Sequence, residues 1–465
     1  MKNYLVFTMA TLLLGTACSS KKEHAEGFTG APGEVKLITL DPGHFHAALV
    51  QKVSYPQVSK DVYVYAPTGF DVNEHLKRIE GFNTRAENPT LWNEIVYTGT
   101  DYLEKMLAEK KGNVMIQAGN NGKKTEYIKK TLEAGINVLS DKPMAINSQN
   151  FKLLEECFDI ARQKNVLLYD IMTERNEITT MLQRELSTIP AIYGEQLKGS
   201  PDEPAIVKES VHHLFKLVDN KPLTRPVWYF DVTQQGEGIV DVTTHLVDLV
   251  QWEAFPEQII DYKKDIELVD ANRWTTSISP EEFKQVTGTD AYPDFLKKDV
   301  ENDTLKVYCN GDIVYKIKGV TAKVSVIWNY TFPEGGGDTH FSVMKGSKAD
   351  LIIRQGQEQG YKPELYIEAL PDIDLAAYEK ELATAMSAVV DKYPGVVLNK
   401  IADNVWQVQI PVKYRVGHEA HFGQVTENYL QYLQDGKLPD WEVPNMIAKY
   451  YVTTKALEMA KGKSK

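Results

Sequence analysis

The chain has 465 residues, of which 43% are apolar and 25% charged, and its length is that of about two or three globular domains. Its 64 acidic and 52 basic residues give a net charge of −12, which argues against nucleic acid or an anionic lipid surface as the main partner. We therefore expect no nucleic acid partner and no membrane contact other than a lipid anchor.

The N-terminus is typical of an exported lipoprotein. Lys2 is followed by an apolar stretch over 4–14 and then by Gly15-Thr16-Ala17-Cys18, which resembles a bacterial lipoprotein signal. An apolar stretch this short is a signal peptide rather than a membrane span. We expect residues 1–18 to be the signal and Cys18 to carry a lipid on the periplasmic or cell-surface side. The alternative is an ordinary signal peptide that contains a cysteine. The polar residues 19–34 form a predicted linker.

Alternating strands and helices over residues 35–175 predict a Rossmann domain with a parallel, doubly wound sheet. A strand over 35–40 leads into Asp41-Pro42-Gly43-His44-Phe45-His46 and then a helix, an arrangement that points backbone amides at a phosphate. Further strands are predicted over 62–65, 114–118 and 166–170, with a helix over 148–164.

Between these strands, a helix-compatible run ends at Gly135, and a short apolar strand then leads to Asp141-Lys142-Pro143. Ligands of open α/β sheets bind at the carboxyl ends of the strands, and a proline there ends the strand. Lys142 is therefore our first candidate for chemistry. The alternative is a solvent-exposed lysine at the end of a strand.

Beyond residue 175 the pattern changes to strand-like alternation over 304–309, 322–330, 340–344, 351–354 and 405–414. Alternation predicts a large mixed or antiparallel sheet with one open face, which invites a homo-oligomer. Helices over 421–461 follow. Residues 176–465 are thus predicted to form a second, substrate-binding and oligomerisation domain whose last helices return to the Rossmann domain.

This second region contains two groups of polar candidates. The glycines at 236 and 238 precede a predicted helix on which Asp241 and His245 share one face, so that the carboxylate fixes the tautomer of an imidazole suited to proton transfer. A surface Asp/His pair is the alternative. On a helix, Lys208, His212, His213 and Lys216 would lie about one turn apart and reach a substrate, or else form a solvated basic face.

We expect no metal site. His44-Phe45-His46 and His212-His213 are suggestive pairs, but neither pair is followed by a third or fourth ligand at a defined spacing.

Together these segments resemble the Gfo/Idh/MocA oxidoreductase family. Its Glu-Lys-Pro motif appears as Asp141-Lys142-Pro143, its aspartate and histidine four residues apart fall on Asp241 and His245, and its arginine after the sixth strand looks like Arg175. Segments 208–228 and 329–338 look like a Bacteroidetes-type exported subgroup with its own oxidoreductase C-terminal domain.

The resemblance implies an α/β protein with a Rossmann domain and a C-terminal α/β domain. It also implies NAD or NADP as the cofactor and a small saccharide or glycoside as the substrate. Because an exported enzyme meets no pool of free nucleotide, we expect the cofactor to be tightly bound. In the implied catalytic set, His245 is the acid/base, Asp241 orients it, and Lys142 donates a hydrogen bond to the reacting oxygen; Lys142 is the alternative base. The predicted cofactor contacts are Asp41, Gly43, His44, Phe45, His46, Ala118, Gly119, Asn120, Asn121, Asp141 and Lys142. The predicted substrate contacts are Lys142, Arg175, His212, His213, Asp241 and His245.

The dinucleotide motif is incomplete. The three glycines of Gly-x-Gly-x-x-Gly correspond to Asp41, Gly43 and His46, and the acid expected after the second strand corresponds to Ala66. Lys124 stands where the family has a histidine, and Lys123 and Lys124 are candidate phosphate contacts. A carbohydrate-binding lipoprotein without nucleotide is therefore one alternative. NAD-dependent glycoside cleavage through a transient keto-sugar is another.

Overall fold

The structure is a computed structural model, and it describes residues 27–218, 221–332 and 334–463. The predicted signal peptide, with Cys18, lies outside the described residues. Among the described residues, no helix combines the length and the hydrophobicity that a membrane crossing needs.

The N-terminal region is built from alternating strands and helices. Its elements are β1 (Leu37–Leu40), α1 (His46–Leu49), β2 (Asp61–Ala66), α2 (Phe70–Thr84), β3 (Asn93–Thr98), α3 (Tyr102–Glu109), β4 (Val114–Gln117), α4 (Asn121–Glu133), β5 (Asn137–Asp141), α5 (Ser148–Lys164) and β6 (Leu168–Ile171).

These strands form one parallel sheet in the order β3-β2-β1-β4-β5-β6, which confirms the predicted Rossmann sheet. The order reverses beside β1, and α/β proteins bind ligands outside the carboxyl ends of the strands at such a point. The sequence analysis missed β3. This edge strand is mostly exposed and therefore has no run of apolar residues.

The C-terminal region contains the longer strands. Its elements are α6 (Ile178–Ser187), β7 (Ile206–His213), β8 (Leu217–Val218), β9 (Lys221–Pro222), α7 (Thr243–Ala254), α8 (Tyr262–Asp265), β10 (Ile266–Ile278), α9 (Pro280–Thr287), β11 (Val300–Glu301), β12 (Thr304–Ile317), β13 (Val320–Asn329), β14 (Thr339–Lys345), β15 (Ala349–Gln355), β16 (Glu364–Ala369), α10 (Leu375–Lys392), β17 (Val397–Ala402), β18 (Val405–Gln409), α11 (His418–Asp435) and α12 (Glu442–Lys463). Short 3-10 helices lie at Thr173–Asn176, Val227–Phe230, Gly238–Val240, Asp294–Asp299, Gln357–Gln359 and Val412–Tyr414.

Ten of these strands form a mixed sheet in the order β10-β12-β13-β7-β14-β15-β16-β18-β17, with β11 paired to β12. All neighbours are antiparallel except β13 and β7, which run parallel. The mixed, largely antiparallel sheet predicted from the alternation is confirmed. Alternate side chains serve two faces: Leu351 and Ile353 join the main core, whereas Ile352 joins a smaller apolar cluster on the other face with Val343 and Tyr366.

The last two helices connect the two regions. Phe422, Val425 and Tyr429 of α11 are buried in the core of the Rossmann domain. Helix α12 contributes Tyr450 to that core and Val452 to the core of the second region. The two regions are therefore packed against each other through these helices. The cavities between the regions are bounded by elements that are in contact with one another.

Candidate active site

A cavity of about 420 Å³ lies at the carboxyl ends of β1 and β5, against the second domain. Three predicted catalytic residues, Lys142, Asp241 and His245, line it together. They come from segments about one hundred residues apart, and the fold brings them into one volume. Such a cavity falls within the usual range for small-molecule sites, about 300–1,000 Å³.

Asp241 is bound to Lys142. The Lys142 ammonium donates to Asp241 Oδ1 at 2.7 Å, and Gln235 donates to Oδ2 at 3.0 Å. Burial alone would raise the pKa of Asp241, but the charge and hydrogen bond of Lys142 and the hydrogen bond of Gln235 hold it below its usual range. Asp241 therefore stays ionised and holds the lysine in place.

This arrangement corrects two expectations about Asp241. The residue does not lie on a helix face with His245, because it follows the short 3-10 helix Gly238–Val240 and α7 begins only at Thr243. Both of its carboxylate oxygens are engaged by Lys142 and Gln235, so it orients the lysine rather than the imidazole.

His245 lies in the first turn of α7. Its Nδ1 is buried and has no hydrogen-bond partner within the part of the chain that the structure describes. Burial, reinforced by the positive charge of Lys142, lowers the pKa of His245 to about 4. The imidazole is therefore neutral near pH 7 and can accept a proton from a ligand.

The turn after β1 departs from a phosphate-binding loop in the way the sequence indicated. Asp41 has a positive φ of 46°, and its carboxylate accepts from Tyr127 at 2.9 Å and lies 3.5 Å from the Lys123 ammonium. Its charge is thus compensated by these groups. A β-carbon on Gly43 would lie 3.0 Å from the Trp228 ring, so the second domain closes on this glycine.

Trp228 also makes a polar contact with the Rossmann domain. Its indole nitrogen donates to Asp71 of α2 at 2.9 Å. Both residues line a second cavity, of about 490 Å³, at the carboxyl ends of β1 and β2, together with Asp41, Ala66 and Phe295. The Trp228–Asp71 bond therefore lies beside the turn that separates the two cavities. The two aromatic residues that follow Trp228 differ in exposure to ligand: Tyr229 lines the first cavity, whereas Phe230 belongs to a buried core.

The predicted cofactor contacts after β4 fall into two groups. Gly119 and Asn121 line the first cavity, whereas Ala118 is buried and accepts the His44 amide through its carbonyl. Asn120 caps α4 and donates to Gln234. Gly119 packs so closely on the first turn that a β-carbon there would lie 2.4 Å from the Asp41 carbonyl oxygen.

The prediction that Lys124 meets a phosphate is wrong. Its side chain is fully buried and donates to the main-chain carbonyl of Asp141 at 2.7 Å. Burial lowers the pKa of Lys124 to about 8. Lys124 therefore stabilises the Asp141-Lys142 segment through this buried hydrogen bond. Lys123 is exposed and faces Asp41.

Arg175 does not contact the substrate cavity, so its predicted role is wrong. Its guanidinium donates to both oxygens of Asp248 and to Glu442, each at 2.7 Å. All three side chains are buried. The arginine therefore joins the end of β6 to α7 and α12, and its donors are used within the fold.

The segment with Lys208, His212 and His213 is strand β7, not a helix. Lys208 is fully buried and bound to Glu253, so it cannot reach a ligand. His212 lines the cavity, whereas His213 is buried, does not line it, and bonds Asp338 at 2.9 Å. The alternation of a strand separates neighbours that a helix would have grouped.

The carboxylate of Asp141 faces the two histidines of the first turn. His46 Nδ1 lies 3.0 Å from Asp141 Oδ2, and His44 Nδ1 lies 3.5 Å from the same oxygen. Burial lowers the pKa of His46 to about 3 and also lowers that of His44. Both imidazoles are therefore neutral, and all three residues line the cavity.

Lys216, a candidate from the same predicted group as His212, also lines this cavity. Further polar and aromatic groups in it were not predicted as site residues: Glu174, Gln235, Trp328, Asp338 and His418. Glu174 follows β6 directly, so the rule about strand ends could have identified it. His418 begins α11 and lies 3.6 Å from Glu174. The residues next to His418 in the sequence do not indicate that it lines the cavity. It does so only because α11 packs back onto the Rossmann domain.

Residues 182–461 match the family described as "Putative oxidoreductase C terminal domain", and residues 72–170 match "Oxidoreductase family, NAD-binding Rossmann fold". The second match begins after the unusual first turn and β2. None of the curated protein sequences matches the chain.

Solved structures show the same architecture. A protein from Parabacteroides merdae, described as a "putative oxidoreductase", is 88% identical with a TM-score of 0.94, and the match covers 94% of this chain and 100% of that one. A levoglucosan dehydrogenase in complex with NADH and levoglucosan has a TM-score of 0.59 at 12% identity, covering 92% and 98% of the two chains. A 3-ketoreductase from Actinomadura kijaniata in complex with NADP has a TM-score of 0.55 at 12% identity, covering 91% and 97%. At 12% identity, the last two show a shared fold.

Proposed function

The chain belongs to the Gfo/Idh/MocA family of NAD(P)-dependent oxidoreductases, and from this membership we propose that it oxidises or reduces a hydroxyl-bearing carbon of a sugar or glycoside. The observation that carries the proposal is the meeting of Lys142, Asp241 and His245 in one cavity at the carboxyl edge of the Rossmann sheet.

The cavities fit a dinucleotide. One lies at the ends of β1 and β2 and the other at the ends of β1 and β5, on either side of the turn that contains Gly43. A Rossmann sheet holds the two halves of its cofactor at these positions. The backbone of the first turn at Gly43, together with Gly119 and Asn121, would hold NAD or NADP, and the nicotinamide would supply hydride transfer.

The side chains then have separate roles. His245 is neutral and takes the proton of the substrate hydroxyl during oxidation, and returns it during reduction. Lys142 donates a hydrogen bond to the same oxygen. Asp241 fixes the position of the ammonium through the 2.7 Å contact. Burial of the three groups strengthens these interactions, because the effective dielectric constant is lower than in water.

The rest of the cavity supports a saccharide as the substrate. Tyr229 offers an aromatic face, and His212, Gln235 and Asp338 offer polar groups that can bond several hydroxyls. Two proteins of the same fold, the levoglucosan dehydrogenase and the 3-ketoreductase, are named for reactions on levoglucosan and on a ketone.

The cofactor is retained between turnovers in this proposal, because an exported, lipid-anchored protein meets no pool of free nucleotide. The signal-like residues 1–18 support export, as in the Bacteroidetes-type lipoprotein subgroup. The bond between Trp228 and Asp71 supports retention, because it ties the second domain to the Rossmann domain beside the turn between the two cavities.

The first experiment separates this enzyme from a saccharide-binding protein without nucleotide. Purified protein is denatured, and the released nucleotide is identified by mass spectrometry. We expect about one NAD or NADP per chain. In Lys142→Ala, we expect the nucleotide content to stay similar while turnover with a panel of sugars and glycosides is lost.

Lys152→Ala is the matched control, because it removes an exposed lysine of α5. It should retain full turnover. Protein without nucleotide would favour the binding protein, and full activity of Lys142→Ala would end the catalytic assignment.

We also propose a homo-oligomer through the outer face of the mixed sheet. Val343, Ile352 and Tyr366 form an apolar cluster there, opposite the main core. Phe341, two residues before Val343 on the same face of β14, is 38% exposed, so packing this face against a second copy would remove apolar surface from water.

A further inference from the structure

Three potential metal ligands converge where the turn after β1 meets the end of β5. One ring nitrogen of His44, one ring nitrogen of His46 and a carboxylate oxygen of Asp141 all lie within 4.8 Å of one another. His46 Nδ1 is 3.0 Å and His44 Nδ1 3.5 Å from Asp141 Oδ2. Ligands bound to one ion at about 2.0–2.2 Å are themselves separated by about 3 Å, so little movement is needed.

Hydrogen bonding to Asp141 explains only one of the two histidines. The contact of His46 with Asp141 has the length of a hydrogen bond, but His44 Nδ1 is buried and has no hydrogen-bond partner within the described ranges. A buried nitrogen without a partner is unfavourable, because it has lost its hydrogen bonds to water. His46 also occupies the position where a dinucleotide-binding turn has its third glycine, which lets helix and strand pack closely. Both histidines thus depart from what the fold alone would favour.

We propose that His44, His46 and Asp141 bind one divalent transition-metal ion. Two imidazole nitrogens and one carboxylate oxygen favour zinc, iron, cobalt or manganese over calcium, which prefers oxygen ligands alone. Because all three residues line the cavity of Lys142 and Asp241, the open coordination positions face the space available to a substrate. There the ion would bind water or the hydroxyl oxygens of a saccharide.

The nearby lysines leave the carboxylate available. Lys124 bonds the main-chain carbonyl of Asp141, and the Lys142 ammonium bonds Asp241. Among the described residues, no lysine or arginine lies within 4.0 Å of the Asp141 carboxylate. An ion there would be held by a charged oxygen and two neutral nitrogens, which is the protonation state that metal binding requires.

The chain contains a second cluster that serves as an internal comparison. His212 and His213 both reach Asp338, at 3.3 Å and 2.9 Å. The ammonium of Lys216 also bonds Asp338, so a cation already neutralises this carboxylate. We expect the second cluster to bind no metal ion, although it also contains two histidines and one aspartate.

The test measures binding directly and requires no turnover. The whole protein is freed of metal with a chelator, and Zn²⁺ or Co²⁺ is added while heat of binding and cobalt absorption are recorded. We expect one site per chain, and at least about 100-fold weaker binding in His46→Gln and Asp141→Asn. His213→Gln is the matched control and should bind as the wild type does.

His44→Gln guards against a folding defect, because the side chain of His44 is 26% exposed and its Nδ1 makes no hydrogen bond to be lost. It should melt like the wild type and bind the ion at least about 100-fold more weakly. Wild-type protein that binds neither ion, or a folded His44→Gln variant with unchanged affinity, would overturn the proposal. Nucleotide content is measured in the same samples, so a failure of the metal site is distinguishable from a failure of the proposed oxidoreductase.

Discussion

Asp241 holds the ammonium group of Lys142 in position. The two side chains are nearly buried, at 9% and 10% exposure, and joined by a 2.7 Å contact. Buried partners of this kind matter most when one is removed, because the other is left uncompensated. The pair therefore keeps the ammonium fixed at the cavity wall, where the proposed reaction needs a hydrogen-bond donor at the oxygen.

Removing this charge should slow the chemical step. Asp241→Asn keeps the shape of the side chain but loses the ionic contact with Lys142. We expect kcat to fall by about 100-fold, because misplaced catalytic groups cost that much, while nucleotide content changes little. Steady-state kinetics and nucleotide release measure the two effects. A large loss of nucleotide with unchanged kcat of the loaded fraction would contradict this role.

The pH dependence of oxidation should report on His245. Its pKa is lowered from 6.5 to about 4, so the neutral, proton-accepting form is present above about pH 4 and is lost as the pH falls below it. We expect kcat/KM for oxidation to have its acid limb near pH 4, with no limb between pH 6 and 7. A limb near 6.5 that persists in His245→Asn would assign the titration to another group.

At the scale of elements, the 3-10 helix Val227–Phe230, which contains Trp228, contacts α2 of the Rossmann domain. Its indole bonds Asp71 and its ring packs on Gly43. A bound nucleotide that spans the two cavities would pass this contact. We therefore interpret the segment 227–230 as the part of the second domain that hinders cofactor exchange.

Trp228→Ala should speed the release of bound nucleotide by about tenfold, because one hydrogen bond and the ring contact together are worth about 1.4 kcal/mol. Release into a large excess of an enzyme that consumes the nucleotide gives the rate. Trp274→Ala is the matched control, since this tryptophan of β10 is 37% exposed. Equal release rates in the two variants would contradict the role of Trp228 in retention.

A buried ionic network holds β6, α7 and α12 together. Arg175 bonds Asp248 and Glu442, and Lys449 bonds Asp248 and Asp170. Removing a cation from such a network leaves buried carboxylates without compensation. The network explains why an arginine at the end of the sixth strand serves the fold rather than the ligand.

Arg175→Met should lower the free energy of unfolding by about 3–5 kcal/mol, with KM of the folded protein unchanged. Urea unfolding measures the first quantity and kinetics the second. Arg162→Ala, which removes an exposed arginine of α5, should change neither. An increased KM with unchanged stability would return Arg175 to the substrate site.

At the scale of the whole molecule, the outer face of the mixed sheet is where association should be visible. Phe341 is exposed on that face beside the small apolar cluster of Val343, Ile352 and Tyr366. We expect a dimer in light scattering, and a shift toward monomer in Phe341→Arg, because burying an unpaired charge in an interface is costly. A monomer at all concentrations would refute this oligomer.

Local pattern was sufficient for the two sheets and for part of the site. Periodicity of apolar residues identified most strands, and it failed at the exposed edge strand β3 and at β7, where buried Lys208 hides the apolar face. Lys142 was identified because it follows a strand directly, and the carboxyl ends of parallel strands meet at one edge.

The sequence by itself determined the Rossmann sheet, the mixed sheet and the position of Lys142 at the end of a strand, because each depends on neighbours along the chain. It identified Asp241 as a candidate but placed it on the wrong element. Only the tertiary structure decided the partner of each charged group. Asp141 meets His46 across 95 residues, and Arg175 meets Glu442 across 267. Such pairings depend on how whole elements pack, and burial then sets the free-energy cost of leaving a charge unpaired. Neither the packing nor the burial can be read from the residues that are adjacent in the sequence.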